Sequence, residues 1–597
     1  MKYKMKNSHI IITLFCLLGI NLAAADLETW YEKSGCTETP RYDETIRYCM
    51  LLEKSSPYIK YTVFGKSPQG RDIPLLILDR KRNFTMEKVK ETGNLILLVQ
   101  ACIHSGESEG KDAGLMLMRD LVTGKLEKSL TEDITILFIP IFSVDGHERF
   151  GPYNRINQNG PREMGWRTTA QNLNLNRDYM KADAPEMQAW LSLFNEWKPD
   201  FFVDCHTTDG ADYQYTLTYG LESGGNLDSA LAVWQAENYL EPIKAMMVKS
   251  GFPIFTYIFF RNWHDPRSGI TSWASPPMLS QGYTALLNRP GLLIETHMLK
   301  PYKPRVESTY QMLLHTLEIL AKEKNRLQSL IAKADDYTRS PAFRAQPFPL
   351  SFNNLYRDST IVDFLGIDYE VVESSLTGGE WIKYNGQPKV FRIPVFNKLT
   401  PANFAALPEA YIIPAEYGFL AAKLAFHGIK FTKLMEPVRI NVSSYKFRNV
   451  QFRQTPNEGR HMLAGFETDV IEEVRDFPAG SYVIGMNQNT AKIIAHLLEP
   501  KAYCSFVNWG FMNAVFEQKE YSEHYVMEKM ARDMLANEPD VKSEFEYKMK
   551  TDTAFASNPN TILNWFYSKT PYWDSRFNVY PIGKIFDKAV ADMLKKY

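Results

Sequence analysis

The chain has 597 residues, enough for two or three domains around sizeable cores. Its 68 basic and 69 acidic side chains leave a formal net charge of -1, and 45% hydrophobic with 23% charged residues is an ordinary globular balance. That composition excludes a partner recognised by bulk charge, such as nucleic acid or an anionic membrane. The six cysteines include no CxxC pair, which disfavours a cysteine-based zinc site.

In chain order, Lys2, Lys4 and Lys6 form a positive start, an apolar run extends from Ile10 to Ile20, and Ala23, Ala24 and Ala25 precede Asp26. This order predicts a cleavable signal peptide over residues 1–25 and a secreted or periplasmic protein. The alternative, a membrane anchor, needs about 20 apolar residues, more than the run supplies. Cys16 follows Phe15 where a lipid-attachment site would want a small residue, and no later segment reads as a span, so no stable membrane insertion is expected after cleavage. Cys36 and Cys49 lie in the following segment, 26–60, and could form a disulfide in an oxidising compartment. Cys102, Cys205 and Cys504 sit in apolar or aromatic surroundings and read as buried thiols.

From Tyr61 to about Lys333 strands alternate with helices. Leu95–Gln100 and Ile134–Ile139 read as buried strands, and a helical pattern covers Gly110–Val122. A helix is predicted over Pro185–Glu196, with the proline in its first turn. The strands Phe201–Cys205 and Leu292–Glu295 follow. Such alternation predicts an α/β fold, a central sheet covered by helices on both faces, with ligand sites at the carboxyl ends of the strands. Three prolines in DDYTRSPAFRAQPFP place a boundary near 335–349. Beyond it the chain remains globular, with strand-like YIIP and SYVIGM and a helical stretch after Ser522. The expected organisation is therefore a catalytic region over 61–335 and a C-terminal mixed α/β domain of unassigned role over 350–597.

The candidate chemistry gathers where the strands end. His104 and Glu107, three apart on the turn leaving the first strand, can converge on one point, and zinc accepts imidazole and carboxylate together. HxxE alone occurs often by chance. His206 in DFFVDCHTTDG leaves a second strand at the same sheet edge, though a lone histidine there is more often structural. Glu295 ends a third apolar strand, where burying a carboxylate is costly without a partner and is typical of functional positions. Arg167 and the pair Asn176 and Arg177 lie between. An arginine can stabilise a developing oxyanion, and an Asn–Arg pair can hold a carboxylate, although most arginines simply pair with surface acids.

Taken together HSGE, WR, NLNR, DCHTT and LLIETH stand in the order found in the M14 zinc metallocarboxypeptidases, which this chain resembles over about Tyr61 to Lys300. The resemblance implies a carboxypeptidase-like α/β sheet and one Zn2+ per chain held by His104, Glu107 and His206. It implies Glu295 as general base and acid, Arg167 polarising the scissile carbonyl, and Asn176 and Arg177 gripping the C-terminal carboxylate of a peptide or peptide-like substrate. Loss of the base would lower the rate by roughly two to four decades. Three departures mark this sequence. Position 106 is Gly where digestive members carry a substrate-binding arginine. Asn174 stands where the family has an aspartate behind the first zinc histidine, a partner whose loss costs about 10–100-fold. The family's mobile substrate-binding tyrosine has two candidates, Tyr257 and Tyr283. Residues 26–60 are too short for the inhibitory prodomain of digestive relatives. Two other functions compete: a zinc amidohydrolase acting on small acylated or cell-wall-derived molecules, and a non-catalytic binding protein, which would require a missing ligand or base.

Overall fold

The computed structural model of the chain describes residues 27–208, 210–222 and 224–595, so the leader expected over residues 1–25 lies outside the described residues. An eight-stranded mixed sheet forms the half in which catalysis is expected, the catalytic half. Its strands are β1 (Ile59–Lys66), β2 (Asp72–Leu78), β3 (Leu95–Gln100), β4 (Ile134–Ile139), β5 (Phe201–Thr208), β6 (Leu217–Leu221), β7 (Ile254–Thr256) and β9 (Gly291–His297), with the short β8 (Ile270–Thr271) standing apart. The spatial order is β1-β2-β4-β3-β5-β9-β6-β7. β4, β3, β5 and β9 run parallel at its centre. Every residue of these four strands is buried, which is why they read as unbroken apolar runs rather than as alternating ones.

Helices cover the faces: α1 (Glu109–Thr123), α2 (Pro185–Trp197), α3 (Ser280–Leu286) and the long α4 (Tyr302–Arg339). The elements expected from apolar periodicity are present within a few residues at each end. The break expected at 335–349 begins later, because α4 continues to Arg339. Its last turns are held from outside: Asp335 pairs with Arg289 at 3.0 Å and accepts from Asn288 Nδ2 at 3.1 Å. Along its length α4 docks on α1, where the Tyr310 hydroxyl donates to Asp120 at 2.8 Å and Arg305 pairs with Glu109.

The second half builds three further sheets. β10 (Phe348–Asn354) pairs with β13 (Leu399–Ala405). The long hairpin of β11 (Thr360–Glu373) and β12 (Glu380–Phe396) pairs with β8 of the catalytic half. Six strands then run β15-β18-β14-β19-β16-β17. They are β14 (Ala410–Ile413), β15 (Thr432–Lys433), β16 (Val438–Phe452), β17 (Leu463–Phe477), β18 (Tyr482–Gly485) and β19 (Gly583–Ile585). One apolar cluster takes in both halves: Trp190 and Phe202 belong to it together with Leu420, Leu424 and Phe506.

Two details settle the surroundings of single residues. Cys36 and Cys49 are free thiols: Cys49 is buried in the helix Tyr42–Ser55, and Cys36 follows the turn after Lys33. His147 is fully buried in the short helix Val144–Glu148. Among the described residues no helix is long and apolar enough to cross a membrane.

Candidate active site

The loop between β3 and α1 carries His104 and Glu107. It is pinned to the loop after β4, where the Ser143 amide donates to Cys102 O at 3.0 Å and Ser105 Oγ donates to Ser143 O at 2.6 Å. β5 carries His206, and the neighbouring β9 carries Glu295 directly opposite it in register. Sheet topology thus brings together residues nearly 200 positions apart in sequence.

His104, Glu107 and His206 are all buried and present ligand atoms within 4.8 Å of one another. His104 Nδ1 lies 3.1 Å from Glu107 Oε1, and His206 Nδ1 lies 2.9 Å from Glu107 Oε2. The far side of each ring is also occupied. His104 Nε2 faces Asn174 Oδ1 at 3.0 Å, and that oxygen already accepts from the Asn176 amide at 3.0 Å. The Asn176 contact fixes the Asn174 amide with its oxygen toward the ring, so His104 Nε2 carries the hydrogen and Nδ1 presents a lone pair. His206 Nε2 faces Asp204 Oδ2 at 2.9 Å, which sets the same tautomer. In the neutral state two imidazole lone pairs therefore face a carboxylate that has only lone pairs to offer. A cation among them satisfies all three, and two His with one carboxylate plus an open position is a catalytic zinc set. The residues present fit the metal.

In the absence of a metal, burial and neighbouring charge shift the three groups in different directions. Burial would raise Glu107, but His104, Arg155 and His206 outweigh it and hold the carboxyl well below its usual range. Burial lowers His104 to about 4 against the pull of Glu107. For His206 burial is outweighed by Asp204 and Glu107, and its pKa is raised well above the ordinary value.

A cavity of about 310 Å³ opens over this cluster and is lined by all seven predicted site residues: His104, Glu107, Arg167, Asn176, Arg177, His206 and Glu295. Arg167 Nη1 stands 3.6 Å from Glu107 Oε1 with its side chain partly in solvent. Arg177 Nη1 donates to Asn176 O at 2.8 Å. Arg155 and a set of uncharged residues complete the lining, the latter including Gly220, Leu221, Leu279, Gln281 and Leu293. Of the two tyrosine candidates, Tyr257 lines the cavity, whereas Tyr283 is in the core with its hydroxyl 3.0 Å from His427 Nδ1.

Two participants escaped the sequence reading. Arg155 donates to Glu107 Oε1 at 2.8 Å. It also explains Gly106: a Cβ there would lie 2.7 Å from Arg155 Cγ and 2.8 Å from the Gly165 carbonyl oxygen, so no side chain fits. No local signal marks Arg155. Asp204 did carry one, because residues two apart on a strand share a face and DxH therefore pairs the two side chains.

Residues 45–302 match the zinc carboxypeptidase family, Peptidase_M14, so the chain carries a domain of that family and is a metallocarboxypeptidase-class peptide hydrolase. It is similar to Carboxypeptidase 2 of Trichophyton rubrum, 22% identical over 497 residues covering 80% of this chain and 85% of the relative. Carboxypeptidase 2 of Trichophyton equinum is 24% identical over 507 residues, with the same two shares, 80% and 85%. Among solved structures, a metallo-carboxypeptidase from Pseudomonas aeruginosa in complex with (2-guanidinoethylmercapto)succinic acid matches at 17% identity and a TM-score of 0.36, covering 48% of this chain and 69% of that one.

Proposed function

We propose that this chain is a zinc-dependent carboxypeptidase in which His104, Glu107 and His206 hold the metal and Glu295 is the general base. The observation that carries the reading is the single cavity that joins the three ligand-type residues to Glu295, Arg167, Asn176 and Arg177. Zinc bound there would acidify a water and draw charge from a coordinated carbonyl. Glu295 accepts a proton from the attacking water and passes it to the leaving amine nitrogen. Arg167, on the cavity wall, donates to the oxygen that becomes negative as the carbonyl is attacked. Asn176 and Arg177 hold the free C-terminal carboxylate of a peptide, Arg177 through charge-assisted hydrogen bonds. The leader pattern over residues 1–25 supports action outside the cytoplasm.

Mass spectrometry of a peptide panel tests the reading together with metal analysis. The expected result is one zinc per chain and release of single C-terminal residues. Glu295→Gln is expected to keep its zinc and lose roughly two to four decades in kcat. Cleavage of acylated small molecules with none of C-terminal peptides would favour the amidohydrolase instead. A zinc-free, well-folded wild type that cannot be reconstituted would refute the mechanism.

A further inference from the structure

The hairpin of β16 and β17 extends beyond the six-stranded sheet of the second half and ends in the tight turn Asn457-Glu458-Gly459-Arg460. The turn is closed by reciprocal backbone bonds between Asn457 and Arg460 at 2.9 and 3.0 Å. This tip reaches the catalytic half. Glu458 Oε2 accepts from the backbone amide of Asn174 at 3.3 Å. Arg460 grips Asp183 through two hydrogen bonds of 2.9 and 2.6 Å and lies 3.8 Å above the Phe511 ring. Lys423, also of the second half, donates to the same Asp183 at 2.8 Å. The segment 174–183 is thereby held at both ends, and it contains Asn174, which backs His104, and the pair Asn176 and Arg177.

The turn itself argues that Glu458 is there for reach. Both central residues have positive φ, 50° at Glu458 and 74° at Gly459. Such a turn favours Asn, Asp or Gly at its first central position. A glutamate in the left-handed region is disfavoured relative to these residues. What glutamate adds is a longer arm ending in an acceptor. Its charge also acts on Arg177, where it opposes in part the larger effects of burial and of neighbouring Arg167 on that guanidinium.

We infer that Glu458 is a positioning residue: it anchors the Asn174 amide and so sets the Asn176–Arg177 pair that binds the substrate carboxylate, making the tip of the second half a support behind the active site. This rests on the reading of Asn176 and Arg177 given above. Glu458 touches neither substrate nor metal, so its loss should weaken binding more than turnover.

The test is steady-state kinetics of the full-length zinc enzyme on whichever N-acylated dipeptide the wild type cleaves fastest. Glu458→Asn suits the turn but falls one methylene short of Asn174. It is expected to keep or raise the Tm and retain one zinc per chain. KM should rise about tenfold, the loss expected for one hydrogen bond to a charged group, with kcat within about threefold. Glu458→Gln preserves both reach and an oxygen acceptor and should stay within about threefold of wild-type KM. Arg439→Ala, in an exposed ion pair at the other end of the hairpin, should change nothing. If Arg177→Ala raises KM while Glu458→Asn does not, this inference is overturned alone. A Gln variant as impaired as Asn overturns the hydrogen-bond assignment. If Arg177→Ala also leaves KM unchanged, the carboxylate-gripping reading falls and this inference with it.

Discussion

His206 shows how much of this site is arranged by residues that would never touch zinc. Its Nδ1 can present a lone pair only because Nε2 is engaged by Asp204, which is itself fixed by Gln100 Nε2 donating to Oδ1 at 2.8 Å. Both supports lie on buried central strands, β5 and β3, so the ring is aimed by the most rigid part of the sheet. Asp204→Ala leaves the imidazole free to take the other tautomer or to rotate. Zinc affinity should fall about 10–100-fold, read by competition with a chromophoric chelator. An unchanged affinity would show that β5 alone orients the ring. The counterpart behind His104 is the neutral Asn174, which accepts the same hydrogen bond without a charge. A carboxylate is nonetheless close by, since Glu458 bonds the backbone of that same asparagine.

At the scale of elements, α2 carries an anomaly of its own. Glu186 in its first turn is fully buried, and both its carboxylate oxygens lack a hydrogen-bond partner. Burial raises its pKa to about 7, with Asp145 and Asp178 adding to the shift. An unfolded glutamate titrates near 4.3. Between those values the folded state holds more protons than the unfolded one, so stability falls as pH rises through the window from about 4.3 to 7. Glu186→Gln should remove that slope and stabilise the protein by about 2 kcal/mol at pH 8. Chemical denaturation at pH 5 and pH 8 checks this, and equal gains at both pH values would contradict it. The same helix was legible in the sequence, as were α1, β3, β4, β5 and β9, because each is a local pattern: an apolar run, a helical period, a proline at the first turn. The length of β5 and the helix α4 were not. β5 continues through His206 to Thr208 because β9 pairs with it there, and α4 runs past the boundary expected near 335, where Arg289 holds Asp335. The seven residues picked out by motif order line one cavity. Arg155 and Glu458 were invisible for the opposite reason, since each reaches its partner through a loop whose path no local pattern sets.

At the scale of the molecule, the second half is packed as part of one body rather than appended. His427 illustrates the joint: it is fully buried, its Nε2 lies 3.1 Å from Met180 O and its Nδ1 lies 3.0 Å from the Tyr283 hydroxyl, both partners belonging to the catalytic half. Burial holds it at about 4, so it is neutral at physiological pH and joins the halves by hydrogen bonds rather than by charge. Lys492 is likewise buried and donates to Asn226 O at 2.9 Å and Asn288 Oδ1 at 2.8 Å. Around these polar ties the apolar cluster is continuous, with Leu420, Leu424 and Phe506 in the same core as Trp190 and Phe202. Cutting the chain after Gln346 would expose apolar surface of the catalytic half and leave the amide and hydroxyl groups of the joint without their partners. Each fully buried side chain of that size contributes about 1.5–3 kcal/mol, so a handful of them matches the whole stability of a typical domain. Residues 27–346 alone should therefore aggregate or remain molten, and the full chain should unfold in one calorimetric transition. Two well-separated transitions, or a soluble and cooperatively folded fragment 27–346, would instead make the catalytic half an autonomous unit. In that case the contacts at Asp183, His427 and Lys492 would serve alignment alone. A single transition ties the integrity of the catalytic cleft to the folding of the whole chain.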